Sequence, residues 1–301
     1  MEVEQSVLPE SGNYVELYKT GELQAILEEI LPNLEHCQLC PRKCGINRSK
    51  ERGVCQQSDQ SMLTNVVVHT GEEPPLIEGT GAGAVFFSGC PMKCVYCQNF
   101  AFSQLNNGEV YTSEQLADAF LRLQDKGVCN IDLVTPTPHL VSIIRALIIA
   151  VPKGLHLPIV YNTSSYENVD ILRKIEGVVD VYLADIRYTD DTLGLKYSGV
   201  QGYWTHTKRA IREMFRQVGA RRLIIRHLVL PNGLSGTEEA MAFVAEELST
   251  NVNVSLMSQY FPVFKALGKE ELSRKITAGE YDEAVKIMEA YGLFNGWVQD
   301  F

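Results

Sequence analysis

Short apolar runs alternate with amphipathic segments along most of the chain from residue 84 onward. AVFFSG (84–89) has the length and composition of a buried strand, whereas SEQLADAFLRLQDKG (113–127) carries apolar residues at helical spacing, with Ser113 as the predicted N-cap. Five further pairs of this kind follow. The predicted strands are 130–136, 157–163, 178–186, 221–231 and 253–262, and the predicted helices are 139–151, 167–175, 203–219, 237–249 and 279–291. The pattern therefore predicts six β-then-α units.

Strands that alternate with helices form right-handed crossovers and a parallel sheet with helices outside it. The glycines of GTGAG (79–83) precede a strand instead of joining a strand to a helix, so they do not match a dinucleotide-binding loop. We therefore predict an α/β fold, specifically a partial (βα)6 TIM-like barrel, with a doubly wound sheet as the alternative. In either architecture the functional side chains gather at the C-terminal ends of the strands.

The first sixty residues follow a different pattern. Residues 14–31 read as a helical arm that is polar on one face, and residues 33–60 are rich in cysteine and loop-like. MLTNVVVH (62–69) then has the composition of a strand. The chain is therefore predicted to consist of a small N-terminal, cysteine-rich, metal-binding segment (1–60) followed by the barrel domain (61–301).

Composition excludes some classes of function. Of the 301 residues 45% are apolar and 21% are charged, which is ordinary for a globular protein. The net charge of −10 argues against general nucleic-acid binding, because phosphate contacts need a basic surface. The first twenty residues lack the features of a signal peptide, and the longest apolar stretch, 143–151, is too short to span a bilayer. We expect a cytoplasmic protein that does not associate with membranes.

Seven of the eight cysteines fall into two groups. The first group is Cys37, Cys40, Cys44 and Cys55, and the second is Cys90, Cys94 and Cys97. In a cytoplasmic protein such groups are more often metal ligands than disulfides, whereas the isolated Cys129 is expected to be a buried, inert thiol. The three thiols of the second group suit either a catalytic zinc ion with an open fourth position or an iron–sulfur cluster with one free iron. Spacing alone does not separate these two.

The loop GCPMKCVYCQN (89–99) resembles the Cys-x3-Cys-x2-Cys loop of the radical S-adenosylmethionine (SAM) superfamily, including an aromatic residue, Tyr96, before the third cysteine. From about residue 37 to the end, the chain is most similar to the pyruvate formate-lyase activating enzyme-like group. CQLCPRKCGINR, VTPTPH, YNTSSYE and DIRY are among the stretches that carry this resemblance. It implies that Cys90, Cys94 and Cys97 hold a [4Fe–4S] cluster whose fourth iron binds SAM, with Tyr96 beside the cofactor.

The same resemblance implies the reaction and its partners. Reduced flavodoxin or ferredoxin would supply an electron, and SAM would be cleaved to methionine and a 5′-deoxyadenosyl radical that abstracts hydrogen from a substrate. The substrate would be a glycyl-radical enzyme, another peptide or a small molecule. A non-enzymatic, zinc-binding interaction protein is the alternative outside this class, and the acidic chain and the three-cysteine loop weigh against it.

Further candidate residues lie at the predicted strand ends. The turns that contain Asn162, Thr163, Asp185 and Arg187 resemble turns of glycyl-radical activating enzymes. This resemblance implies that these residues contact SAM or a bound monovalent cation. Thr135 and Thr137 stand where most of the superfamily has a Gly-Gly-Glu turn that takes the SAM amino group. Their hydroxyls and carbonyls either replace that turn or belong to a rigid proline-rich connection.

Two polar residues interrupt the apolar strand LIIRHLVL. A charge inside such a strand is costly unless it is paired, and neighbouring side chains point to opposite faces of a sheet. We therefore expect Arg226 to point inward and bind the SAM carboxylate, as its family counterpart does, and His227 to pack or cap.

The four N-terminal cysteines have the spacing Cys-x2-Cys-x3-Cys-x10-Cys, which provides enough thiolates for a closed zinc site or for a second iron–sulfur cluster. Basic residues surround them, namely Arg42, Lys43, Arg48, Lys50 and Arg52. These residues either offset the charge of the thiolates or dock an electron donor or a protein substrate.

Overall fold

The computed structural model describes residues 7–299, and within them the chain forms nine strands and ten α-helices. The strands are β1 (Ser61–His69), β2 (Ala82–Phe87), β3 (Glu109–Tyr111), β4 (Ile131–Val134), β5 (Ile159–Thr163), β6 (Val181–Ile186), β7 (Leu223–Leu228), β8 (Asn253–Met257) and β9 (Gly296–Val298). The helices are α1 (Tyr14–Thr20), α2 (Glu22–Ile30), α3 (Phe100–Ser103), α4 (Ser113–Asp125), α5 (Leu140–Ala150), α6 (Val169–Lys174), α7 (Asp191–Ser198), α8 (Tyr203–Val218), α9 (Thr237–Glu247) and α10 (Ala278–Ala290).

The strands form one mostly parallel sheet in the order β3-β1-β2-β4-β5-β6-β7-β8-β9. The pairs β2–β4, β4–β5, β7–β8 and β8–β9 are parallel, whereas β1 pairs antiparallel with both β2 and β3. Among the described strands β3 and β9 lie at opposite edges, so the sheet is not closed. The predicted fold class, an α/β fold with the six βα units of a partial TIM-like barrel, is confirmed.

The chain divides into two compact units. The first contains residues up to 91 together with 101–163 and 168–182, and the second contains 92–100, 164–167 and the residues from 183 onward. The chain passes from one unit to the other at five places, the last of them within β6. The predicted division into a cysteine-rich segment (1–60) and a barrel domain (61–301) stays a prediction.

The central strands of the first unit are buried along their whole length. β4 (IDLV) and β5 (IVYNT) expose no residue to solvent, as expected for parallel strands covered on both faces. α4 packs against α5 and β1 and begins with a capping box, in which the Thr112 hydroxyl accepts from the Gln115 N–H and the Gln115 side chain accepts from the Thr112 N–H. The cap is therefore Thr112 and not the predicted Ser113, which is the first helical residue.

Other differences from the sequence-based elements are local. The predicted arm 14–31 is two helices separated by Gly21, whose φ of 84° lies in the left-handed region. The strands β3 and β9 and the helix α7 were not predicted; each of these strands has only three residues, too few to show a period. Residues 36–60 form neither helix nor strand, in agreement with the predicted loop-like segment.

No helix within residues 7–299 is long and apolar enough to cross a bilayer.

Candidate active site

The three-cysteine loop begins directly after β2, at its C-terminal end. Gly89 has a φ of 76°, and a Cβ atom at this position would lie 2.4 Å from the backbone oxygen of Cys55. Only glycine fits such a position, because a side chain would collide with the backbone and strain the turn. The Gly89 N–H donates to the Phe102 carbonyl oxygen (2.9 Å), and Cys90, which follows, is half-buried. The start of the loop is thus fixed by backbone contacts in the first unit.

The other two cysteines of the loop belong to the second unit. The backbone N–H groups of Lys93 and Val95 donate to the carbonyl oxygens of Ser198 and Tyr197, each at 2.8 Å, so Cys94 is held between two hydrogen bonds to the end of α7. The Cys97 N–H donates to the Cys94 carbonyl oxygen (3.3 Å), which makes this part of the loop a tight turn. Cys94 is buried and Cys97 is half-buried.

The Cys94 sulfur has two polar neighbours. The Ser198 hydroxyl donates to it at 3.0 Å, and Nη1 of Arg187 lies 3.9 Å away. Burial raises the pKa of the Cys94 thiol, and Arg187 opposes this by favouring the thiolate. A metal ion would shift the balance further, because a coordinated thiol is deprotonated. The surroundings of Cys94 therefore suit a sulfur that acts as a metal ligand.

Three of the predicted residues, Asp185, Arg187 and Arg226, meet at the ends of β6 and β7. The Asp185 carboxylate accepts from Nε of Arg226 through one oxygen and from Nη2 of Arg187 through the other, both at 2.7 Å. The Asp185 side chain is only 10% exposed and that of Arg226 only 16%. The sum of one carboxylate and two guanidinium groups is a net positive charge, which favours an anionic ligand. The Arg226 side chain is thus largely buried, and it forms an ion pair with Asp185 that was not predicted from the sequence.

His227 takes no part in this cluster. Its ring nitrogens lie 2.9 Å from the Ile186 carbonyl oxygen and 3.1 Å from the Thr237 hydroxyl. Burial lowers the pKa of His227 to about 4, so the ring is neutral near pH 7. This position agrees with the packing role expected from the sequence.

Tyr96 lies in an aromatic cluster of the second unit. Its ring makes edge contacts with Tyr188 (6.2 Å between centroids) and Tyr260 (5.8 Å). Burial raises the pKa of Tyr96 well above its usual value, so the phenol stays neutral. These contacts hold the loop between Cys94 and Cys97, and the predicted contact of Tyr96 with a cofactor stays a prediction.

The strand ends of the first unit bring Thr135 and Asn162 together. The Thr135 N–H donates to the Asn162 carbonyl oxygen (2.9 Å), and the Thr135 φ of 61° is strained for a β-branched residue. Nδ2 of Asn162 lies 3.5 Å from both Oδ2 of the buried Asp132 and Oε2 of Glu72. Oxygen atoms of this kind are the ligands that hard cations prefer, although the monovalent cation expected here stays a prediction.

Thr163 and Thr137 occupy separate places in the first unit. Thr163 is buried at the end of β5, two residues from the strand's central Tyr161. Thr137 begins a short 3₁₀ turn before α5 and lines the cavity that the four N-terminal cysteines surround. The predicted contacts of Thr135 and Thr137 with SAM stay predictions.

All four N-terminal cysteines line one cavity of the first unit, together with Arg42 and Arg48. Burial and the neighbouring Cys37 raise the pKa of the Cys44 thiol. The predicted grouping of these cysteines in space thus agrees with the structure. The isolated Cys129 is half-buried, and its thiol donates to the carbonyl oxygens of Leu76 (3.1 Å) and Gly81 (3.3 Å).

Sequence reasoning missed three side chains near these residues, namely Ser198, Asp132 and Glu72. Asp132 had a usable signal, because an acidic residue interrupts the apolar strand around it. Ser198 and Glu72 had none, since a serine in a helix and a glutamate in a turn are ordinary surface residues in a sequence.

A mostly parallel sheet with a Cys-x3-Cys-x2-Cys loop after its first parallel strand defines a class of α/β proteins that carry their chemistry at the strand ends. The chain belongs to the radical SAM superfamily, whose family model matches residues 84–244. The predicted family is thereby confirmed, and membership implies a [4Fe–4S] cluster and SAM as cofactors.

Individual relatives support the same family. An uncharacterized protein of Methanocaldococcus jannaschii is 33% identical over 88% of this chain and 78% of its own. A pyruvate formate-lyase-activating enzyme of Clostridium pasteurianum is 25% identical over 62% of this chain and 78% of its own length. Another, of Streptococcus mutans, is 25% identical over 66% of this chain and 78% of its own length. The predicted likeness to this group is confirmed.

Among solved structures, a radical SAM methyltransferase from Sphaerobacter thermophilus matches with a TM-score of 0.50 at 16% identity. The match covers 72% of this chain and 65% of that one. At this identity the likeness shows the fold alone.

Proposed function

We propose that this protein cleaves SAM reductively at a [4Fe–4S] cluster held by Cys90, Cys94 and Cys97. The three thiols lie within eight consecutive residues, so the loop itself keeps them within reach of one cluster. Three protein ligands leave one iron for SAM. When bound, the cluster supplies the electron that breaks the sulfur–C5′ bond of SAM, giving methionine and a 5′-deoxyadenosyl radical.

One observation carries this proposal, the continuous set of contacts Cys94–Arg187–Asp185–Arg226 within the second unit. Arg187 lies against the Cys94 sulfur and is paired with Asp185, which also accepts from Arg226. A positively charged pair of guanidinium groups is thus fixed beside a proposed cluster ligand. That arrangement suits the carboxylate of SAM, since charge-assisted, preorganised hydrogen bonds are the strong ones.

We further propose that the substrate is a glycyl-radical enzyme, from whose glycine the radical removes an α-hydrogen, with reduced flavodoxin or ferredoxin as the electron donor. The support is the similarity to two pyruvate formate-lyase-activating enzymes. Because both are only 25% identical, another peptide or a small molecule is the alternative substrate. Membership of the superfamily argues against the non-enzymatic, zinc-binding alternative.

The test uses protein purified and reconstituted without oxygen. With SAM and dithionite, the wild type should release 5′-deoxyadenosine, and Cys94→Ala should release none and lose iron, because one ligand of the cluster is gone. Cys129→Ala is the matched control, since Cys129 lies outside both groups, and should retain both iron and activity. Cleavage of SAM by the Cys94 variant would overturn the assignment.

The substrate needs a separate readout. Incubation with a glycyl-radical enzyme of the same organism should give the doublet of a glycyl radical in electron paramagnetic resonance. Release of 5′-deoxyadenosine without that doublet would retain the SAM chemistry and reject the glycyl-radical substrate.

A further inference from the structure

The four N-terminal cysteines line one cavity of the first unit. The cavity is also lined by Arg42, Arg48, Pro91 and Pro138. Four thiols at one cavity provide the complete ligand set of a structural zinc site.

The backbone brings the first three of these cysteines together. The Cys37 N–H donates to the Ile46 carbonyl oxygen (3.0 Å), and the Gly45 N–H donates back to the Cys37 carbonyl oxygen (2.9 Å), which closes a loop around Cys40 and Cys44. The Lys43 N–H donates to the Cys40 carbonyl oxygen (3.0 Å) and tightens the turn within it. Within residues 7–299 no three Cys, His, Asp or Glu side chains already stand in position to hold a metal ion, so these thiols would have to close around an ion as it binds. The exposed Cys44 gives the ion access from solvent.

The segment around this loop has no regular secondary structure. Residues 36–60 contain no helix or strand, and structureless segments of such length are uncommon inside compact domains. Small loop-rich segments of this kind commonly obtain their folding free energy from a bound metal. A closed site with four thiolates would supply it here.

Arg48 gives an independent reason to place a negatively charged centre in the cavity. Its side chain is only 1% exposed, and its guanidinium donates to the carbonyl oxygens of Ser58 and Pro138 and to the Cys37 sulfur (3.5 Å). Within the described part of the chain none of these partners is a carboxylate. A buried guanidinium needs a negative partner, and a thiolate at Cys37 is the one within reach.

We propose that Cys37, Cys40, Cys44 and Cys55 bind one zinc ion through four thiolates. Four thiolates and Zn²⁺ carry a net charge of −2, which the cationic side chains of Arg42 and Arg48 at the cavity offset. Four protein sulfurs leave no open position, so the centre is structural and not catalytic. The site is separate from the three-cysteine loop and does not depend on the function proposed above.

The contacts of the two arginines show what this zinc centre stabilises. Nη2 of Arg48 donates to the Pro138 carbonyl oxygen (2.6 Å) in the turn after β4, and Nε of Arg42 donates to the Pro91 carbonyl oxygen (2.5 Å) beside Cys90. The zinc centre therefore fixes two loops of the first unit, one following β4 and one carrying the first cysteine of the three-cysteine loop.

Metal analysis of the full chain, purified without oxygen, tests the proposal. We expect about one zinc per chain in the wild type, in addition to the iron of the three-cysteine loop. Cys40→Ser and Cys44→Ser should lose the zinc and retain most of the iron, while Cys94→Ala should do the reverse. Cys129→Ser, the control, should change neither metal.

Wild-type protein alone decides the matter if the serine variants fail to fold. Protein expressed with Co²⁺ in place of zinc should show thiolate-to-cobalt charge-transfer bands and the d–d bands of a tetrahedral site. Wild type with no zinc and about twice the iron of one [4Fe–4S] cluster would overturn the proposal in favour of a second cluster. Wild type with neither zinc nor extra iron would overturn it altogether. Loss of 5′-deoxyadenosine formation with the zinc present would instead count against the function proposed for the other site.

A further readout separates the structural role from mere binding. In hydrogen exchange, loss of the zinc in Cys44→Ser should increase exchange in residues 33–60 and 135–139, with β7 (Leu223–Leu228) unchanged. Unchanged exchange in 135–139 would show that the centre does not stabilise the turn after β4.

Discussion

At the scale of single residues, the ion pair of Asp185 with Arg226 and Arg187 is the most informative feature of the second unit. Two largely buried guanidinium groups share one carboxylate, and Arg187 also lies beside the Cys94 sulfur. Buried charged groups held together in this way are more often found at binding sites than elsewhere in a protein.

Substitution of Arg226 tests this role directly. Arg226→Gln should weaken SAM binding by about 10- to 100-fold, because a hydrogen bond to a charged group contributes about 1.5–3 kcal/mol. Anaerobic titration calorimetry measures the affinity, and iron content shows whether the cluster is intact. Arg209→Gln, at an exposed position of α8, is the matched control and should bind SAM as the wild type does. Unchanged affinity in Arg226→Gln with a full complement of iron would place the carboxylate contact elsewhere.

From the sequence we could identify those candidate site residues whose type is unusual for the stretch of chain around them. Clustered cysteines, and an arginine inside an apolar strand, stand out because their burial is chemically costly. Ser198 does not stand out, and its hydrogen bond to Cys94 (3.0 Å) depends on how α7 docks against the loop. Partner identities of this kind follow from tertiary contacts and cannot be read from spacing.

At the scale of elements, helix ends show how closely the pattern determines the structure. Capping boxes begin α4 (Thr112 with Gln115) and α10 (Thr277 with Glu280), and each satisfies backbone donors that the first turn of a helix leaves unpaired. The sequence located α4 correctly but assigned its cap one residue too late.

The position of that cap can be measured. Thr112→Ala should lower the free energy of unfolding by about 1 kcal/mol, because the side-chain acceptor of the cap is removed. Ser113→Ala should leave the stability nearly unchanged, since Ser113 lies within the first turn and alanine favours the helix. Urea unfolding followed by circular dichroism compares the two variants. A larger loss for Ser113→Ala would mean that the helix begins one residue later than the structure shows.

The elements that were predicted are the long ones with a clear period, and those that were missed are short. All six βα units were found because each helix has enough apolar positions to show its spacing. The three-residue strands β3 and β9 are held by pairing with β1 and β8, which is a property of the neighbouring strands and not of their own sequences. The break at Gly21 was hidden for a related reason, because one glycine is compatible with a continuous helix.

At the scale of the whole molecule, each compact unit contains a buried, neutral histidine. In the first unit His139 stacks on Phe87 (4.8 Å between centroids) and lies 2.8 Å from the Ser88 carbonyl oxygen, and burial lowers its pKa to about 3. In the second unit burial lowers the pKa of His227 to about 4. Both pKa values lie below the pKa of about 6.5 that a histidine has in an unfolded chain. At a pH between the folded and the unfolded pKa, the unfolded chain therefore binds more protons than the folded one.

Stability should therefore be fully present above about pH 6.5 and be lost as the pH falls toward the folded pKa values. Each histidine should account for about 2 kcal/mol of the unfolding free energy lost between pH 7 and pH 5. Urea titrations at both values measure this loss. His227→Gln should reduce the difference between them, whatever its effect at pH 7, while His156→Gln, at an exposed position, should not. Other acid-sensitive groups, the metal ligands included, contribute equally to all three proteins and cancel in the comparison. If His227→Gln loses as much stability as the wild type, the pKa of His227 is the same in the folded and the unfolded chain, and burial does not lower it.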